Sequence, residues 1–157
     1  MMVDLSTAIV QIIMSMVGSF GFSVLYHIRG RKLLLAALGG GLSWALYLAL
    51  APVLPDEPVR YFLCACFVAF YAEILARILK TPATTFLIPS MIPHIPGGSL
   101  YTTMRYALEK QWQLCLSQAF NTFKLALALA LGFVAVLMIF NVIGVLRSRK
   151  NKEAIHP

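Results

Sequence analysis

The residues of this chain able to do chemistry are few and concentrated. From Pro82 to Met104 the sequence reads PATTFLIPSMIPHIPGGSLYTTM, in which Thr84, Thr85, Ser90, His94, Ser99, Tyr101, Thr102 and Thr103 supply hydroxyls and one imidazole. Pro82, Pro89, Pro93, Pro96, Gly97 and Gly98 are interleaved with them. Each proline removes a backbone donor and clashes with the turn before it, so the segment must leave carbonyls and amides unpaired. In a bilayer such groups persist only against protein or a polar cavity. Discontinuous helices of this kind hold substrates on half-helix ends instead of ionised side chains. The amides after Gly97, with Ser99 as N-cap, would make a helix start suited to a carboxylate. The competing reading is that the prolines only kink a packed helix, with the hydroxyls bonding the carbonyls so freed. His94, beside Pro93, either titrates, donates to a substrate, or is a satisfied interior histidine.

One ionisable residue falls inside an otherwise apolar run. Glu73 lies about 12 residues into the segment that starts at Tyr61, roughly 18 Å along a helix, and so within hydrocarbon. It shares a face with Cys66, Ala69, Ala76 and Arg77, whereas Phe67, Phe70, Ile74 and Ile78 fall elsewhere, so Glu73 is expected to face the bundle interior. Three roles are open: pairing with Arg77 one turn later, carrying a coupling proton or meeting a substrate ammonium, and contacting a partner subunit. No nucleophile with a base and no metal cluster is visible, so an enzyme is not expected and neither is a cofactor. Cys64, Cys66 and Cys115 lack metal-ligand spacing and read as small apolar packers.

The elements that must position these residues follow from composition. The chain has 157 residues, 60% hydrophobic and 12% charged, with mean hydropathy +0.81. That is too apolar for a soluble domain of this size and predicts an all-α integral membrane protein. The net charge of +7 does not point to nucleic acid, because the basic residues gather at the ends of apolar runs. Helices are expected over about 5–27, 33–54, 61–79 and 120–146, each long enough to cross a core of about 30 Å. The stretch 83–108 supplies a fourth crossing in chain order, broken near the membrane middle at Ile95 to Gly98; a re-entrant hairpin is its rival.

Loop charge separates the two. Arg29, Arg31 and Lys32 follow the first run, Arg77 and Lys80 close the third, and Arg147, Arg149, Lys150 and Lys152 follow the last, whereas Asp56 and Glu57 sit between the second and third with only Arg60. With basic loops cytoplasmic, the third and last runs both end inside only if the broken segment crosses. The expectation is five crossings in one membrane domain, 1–146, with the N-terminus outside and a basic cytoplasmic tail, 147–157. Met1 to Ser6 carries only Asp4, so the first run reads as a retained helix and not a cleaved signal. Small residues four apart (Ser15 with Ser19, Ala36 with Gly40, Ala37 with Gly41, Ala128 with Gly132) predict close helix approach and subunit contacts. Arg105, Glu109, Lys110 and Gln113, alternating with Met104, Leu108 and Trp112, predict an amphipathic continuation towards the last span, with Trp112 at the interface.

The run AEILARILKTPATTFLIPSMIPHIPGGSLYTTM, Ala72 to Met104, resembles the C-terminal membrane module of the threonine/serine exporter family. Glu73, Arg77, Pro82, Pro89, Pro93, Pro96, Gly97 and Tyr101 occupy that family's motif positions, and the pattern covers about the last two thirds of the chain. The resemblance implies a bacterial inner-membrane protein that exports threonine or serine on the proton motive force. Full-length members add a cytosolic hydrolase-like region and a further five helices. Split members carry these on a separate larger subunit, and one split pair is associated with succinate export. By resemblance this chain is the small subunit, working with that larger partner or with copies of itself. Ser90 stands where the family is expected to have glycine and His94 where it has an aliphatic residue, which opens the substrate to a related carboxylate. The alternative is a membrane scaffold subunit that does not itself transport.

Overall fold

The computed structural model describes the backbone over residues 5–153 and side chains over residues 5–143. Every regular element in that range is helical. The order is α1 (Leu5–Leu25), α2 (Arg31–Leu50), α3 (Glu57–Leu79), α4 (Thr84–Met91), a 3₁₀ turn (Ile92–His94), α5 (Gly97–Leu108) and α6 (Trp112–Glu153). Among the described residues four helices, α1, α2, α3 and α6, are long and apolar enough to cross a membrane.

Local chemistry sets the ends. Gly30, at φ 67, makes the turn between α1 and α2 in a conformation that costs glycine little. α2 stops at Leu50, short of 54, because Pro52 and Pro55 cannot continue a helix. α3 starts at Glu57, ahead of Tyr61, because Asp56 takes the N-cap position and a proline falls in the first turn, where its missing N–H costs nothing. At the other end Lys80 adopts the left-handed conformation (φ 49), and the amide of Thr81 donates to Ala76 O at 3.0 Å before Pro82. α6 begins at Trp112, well before 120, and continues past 146 to Glu153. The side chains of the basic tail, and residues 154–157, lie outside the described residues.

Packing order gives the topology. Gln11, Met16 and Ser19 of α1 meet Trp44, Gly41 and Gly40 of α2, so the two are antiparallel. Tyr71 bonds Leu35 and Tyr61 meets Tyr47, so α3 is antiparallel to α2. Phe86 packs on Ala36 and Ala72, Ser90 bonds Ala36, and His94 reaches Tyr47 and Tyr61, so α4 and its 3₁₀ turn run with α2. Leu125 and Leu129 pack with Tyr61 and Ala65, and Phe140 meets Phe70 and Arg77, so α6 is parallel to α3. The broken segment therefore returns the chain to the α2–α3 end before α6 descends, the alternation that five crossings require.

The core is built on α2. Ala36, Ala37, Gly39, Gly40, Gly41 and Ser43 are buried, and a Cβ on Gly39, Gly40 or Gly41 would run into Ser90 and Tyr71, Ser19, or Met16 respectively. Lipid tails are as apolar as leucine, so helices associate there by such close van der Waals contact and not by a hydrophobic drive. Gly132 does the same for α6, where a Cβ would come within 2.6 Å of Ala65 Cβ and Phe62 O. Large apolar side chains point outward along α1 and α6, as the surface of a lipid-solvated bundle should.

Two expectations around α5 are corrected. Pro96 takes its N-cap position with no side-chain cap bond; Ser99 sits inside the first turn, where its hydroxyl cannot cap. The amphipathic continuation through Glu109 and Lys110 is broken, because Lys110 turns left-handed at φ 58 and the amide of Gln111 closes on Tyr106 O at 2.9 Å. α5 and the start of α6 thus form an antiparallel hairpin. Since Leu125 is level with Tyr61, that hairpin extends past the beginning of α3.

Candidate functional site

The break is assembled from prolines and completed by its neighbours. Pro89 sits inside α4, Pro93 lies in the first turn of the 3₁₀ segment, Ile95 is extended (ψ 121), and Pro96 (ψ 55) turns tightly so that the amide of Gly97 donates to Ile95 O at 2.6 Å, which separates α4 from α5. Ser90 is buried and its Oγ donates to Ala36 O at 3.1 Å. Ser43 Oγ lies 2.8 Å from Gly40 O and 3.3 Å from Ser90 O, sharing one proton between a carbonyl of α2 and a carbonyl beside the break. Tyr71 Oη donates to Leu35 O at 2.7 Å. The Ser90 and Ser43 bonds clamp α4 onto the glycine face of α2, and the Tyr71 bond ties α3 to the same helix.

His94 is different. It is 1% exposed, yet neither Nδ1 nor Nε2 has a hydrogen-bond partner. A neutral imidazole carries one donor and one acceptor, and each buried polar group left unmade costs about 1–3 kcal/mol. Three aromatic rings wall it in, with centroids 5.7 Å away for Trp44 and 6.0 Å for both Tyr47 and Tyr61, all edge-on. Trp44 stacks on Tyr47 at 5.0 Å and donates through Nε1 to Gln11 Oε1 at 3.3 Å. Past Trp44 lies an open groove of about 270 Å³, lined by Gln11, Met14, Ser15, Trp44 and Pro93.

Charge enters at the first turn of α3. Tyr47 Oη donates to Glu57 Oε1 at 3.3 Å, and the Arg60 guanidinium carbon lies 4.7 Å from the Tyr47 ring centroid. Arg60 Nε is buried without a partner. The ion pairs among the described residues are Glu73 with Arg77 and Arg105 with Glu109, each at 3.6 Å. Neither Glu57 nor Arg60 belongs to one.

The sequence-derived candidates are thus distributed over three places. Pro89, Ser90, Pro93 and His94 come together in the buried core. Glu73 and Arg77 pair on the α3 face that meets α6, where Arg77 also lies 4.7 Å from the Phe140 ring, about 18 Å along α3 from Tyr61. Thr84 and Thr85 begin α4 at the opposite end of the bundle from His94. Pro96 marks the start of α5, Gly97 and Gly98 face open space, and Tyr101 is 69% exposed; the hydroxyls of Thr102 and Thr103 bond back to Gly98 O and Ser99 O. Sequence reasoning missed Trp44, Tyr47, Glu57, Arg60 and Tyr61. Their signal was present as Trp44 with Tyr47 and Glu57 with Arg60, each three apart on one helix face, but the charged pair was read only as loop topology.

Among the described residues no group of histidine, cysteine, aspartate and glutamate side chains is arranged to hold a metal ion. Neither curated proteins nor solved structures give a match to the chain. A family model described as Threonine/Serine exporter, ThrE, matches residues 11–139, a span that contains all of the positions above except Phe140.

Proposed function

Because the chain belongs to the threonine/serine exporter (ThrE) family and is a multi-pass helical membrane protein, we propose that it is the small subunit of a proton-driven secondary exporter of threonine, serine or a related carboxylate such as succinate. The observation that carries this reading is the unwound turn Ile92–His94, held inside a bundle of α1, α2 and α3 with a buried, unpartnered imidazole at its tip. Broken helices in secondary transporters serve substrates in this manner. Five crossings are few for a whole alternating-access machine, so the chain works with a larger subunit or with copies of itself. It sits in the cytoplasmic membrane with the α1–α2 turn, rich in arginine and lysine, inside and the α2–α3 turn outside.

Glu73 is the coupling group in this scheme. Protonation would release Arg77, whose guanidinium rests on Phe140 of α6, and so would loosen α6 against α3. One proton falling through about 100 mV supplies roughly 2.3 kcal/mol, enough for a concentration ratio of about 50. The test is efflux of labelled threonine, serine and succinate from cells making this chain alone and with its neighbouring large subunit. Efflux that needs both proteins is the expected result. None in either case, with both proteins in the membrane, would leave the scaffold role.

A further inference from the structure

We propose that the first turn of α3 and the tip of the broken helix form one charge-matched substrate site, in which Arg60 and His94 take a carboxylate and Glu57 takes an ammonium. The proposal rests on the transporter reading and locates its substrate. Nothing in the family match assigns these residues.

Three features converge on the ring of Tyr47. Trp44 stacks on it at 5.0 Å, the Arg60 guanidinium carbon stands 4.7 Å from its centroid, and its hydroxyl reaches Glu57 Oε1 at 3.3 Å. His94 meets the same ring edge-on at 6.0 Å. Around this ring the protein therefore places a cation, an anion and a neutral imidazole, none of them in an ion pair among the described residues. Two of these groups carry buried nitrogens with no partner: Nε of Arg60, and Nδ1 and Nε2 of His94, a residue 1% exposed. Buried polar groups in native proteins are nearly always satisfied, so those left over mark a place where something else binds.

The unmet groups select the ligand. A guanidinium fits a carboxylate in a two-pronged manner, and an imidazole N–H can add a third donor. Glu57 would attract an ammonium and repel a second carboxylate. A zwitterion with its two charges a few ångströms apart satisfies both ends, whereas a dicarboxylate leaves Glu57 opposed. Aromatic walls exclude water and strengthen these interactions. Trp44 stands between His94 and the groove lined by Gln11, Met14, Ser15 and Pro93, so movement of Trp44 opens the way in.

Trp44 is also the reporter. The chain has two tryptophans, and Trp112→Phe leaves Trp44 alone. Purified full-length chain carrying that change is titrated with L-threonine, with the matched hydroxy acid that lacks the ammonium, and with succinate. A saturable change in Trp44 emission is expected for threonine, weakened at least tenfold by Arg60→Gln and by His94→Leu. Glu57→Gln should weaken threonine by a similar factor while tightening the hydroxy acid and succinate. Arg60→Lys and His94→Gln, checked for unaltered thermal unfolding, should recover part of the loss. Threonine binding that survives Arg60→Gln and Glu57→Gln unchanged overturns this site and leaves transport standing, as does a preparation that transports without any Trp44 response. Failure of wild-type efflux with the large subunit present overturns the transport reading instead.

Discussion

Adding one methyl group at Gly39 should undock the broken helix from the bundle. An alanine Cβ there would stand 2.6 Å from Tyr71 Cε1 and still closer to the Ser90 hydroxyl, whereas carbon atoms rest at about 3.5–4.0 Å. Roughly 1 Å of movement is needed, and Ser90 cannot supply it alone because it lies within α4. Two hydrogen bonds sit on the parts that must move, Ser90 Oγ to Ala36 O and Tyr71 Oη to Leu35 O. Each is worth about 1 kcal/mol net, and overpacking a filled contact costs about 1–3 kcal/mol. Replacing a helical glycine returns about 1 kcal/mol of propensity. The net loss is about 2–4 kcal/mol, which for a chain of this length lowers the melting temperature by about 4–16 °C. Thermal unfolding of the purified protein in detergent measures it, with Gly21→Ala as control because nothing lies within 4 Å of a Cβ there. The control should melt at or slightly above wild type. A Gly39→Ala protein as stable as that control would show that the glycine face of α2 does not hold α4, and the packing account would fail.

Glu73→Gln should fold normally, since an i,i+4 pair with a half-exposed arginine contributes only about 0.3–0.5 kcal/mol, and should abolish the dependence of efflux on an imposed pH gradient; dependence that persists would leave Glu73 a surface partner of Arg77. Gly97→Val should alter neither melting temperature nor threonine affinity by more than about twofold, because a Cβ at Gly97 meets nothing within 4 Å. Lost affinity in Gly97→Val would return the carboxylate to the amides that open α5 and count against Arg60.

Much of the architecture was legible because its causes are local. Length and hydropathy set the four long spans, and prolines marked the break, whereas Pro52, inside the span expected over 33–54, ends α2 at Leu50. The parity of basic loops required the broken segment to cross, which the parallel run of α3 and α6 satisfies. Small residues four apart predicted close helix approach, and Gly40 and Gly41 make it between α2 and α1 and Gly132 between α6 and α3; which helices pair was not legible in them. Where the outcome depended on one backbone dihedral the pattern misled: Lys110 at φ 58 divides what reads as one amphipathic helix into a hairpin, and nothing in its neighbours announces a left-handed lysine.

The candidate site divides along the same line. The sequence by itself determined that this is a helical membrane protein of the exporter kind, that one segment is unwound, and that Ser90 and His94 lie in it, because proline chemistry and apolar run length act within a few residues. Only the tertiary structure decided that Ser90 is spent on clamping α4 to α2 while His94 is left without partners, and that Tyr47 brings Glu57 and Arg60 to the same place. Those outcomes depend on residues 10 to 54 positions apart meeting across helices, and the register of one helix against another is set by which side chains fit into which gaps, a condition no single run of sequence contains.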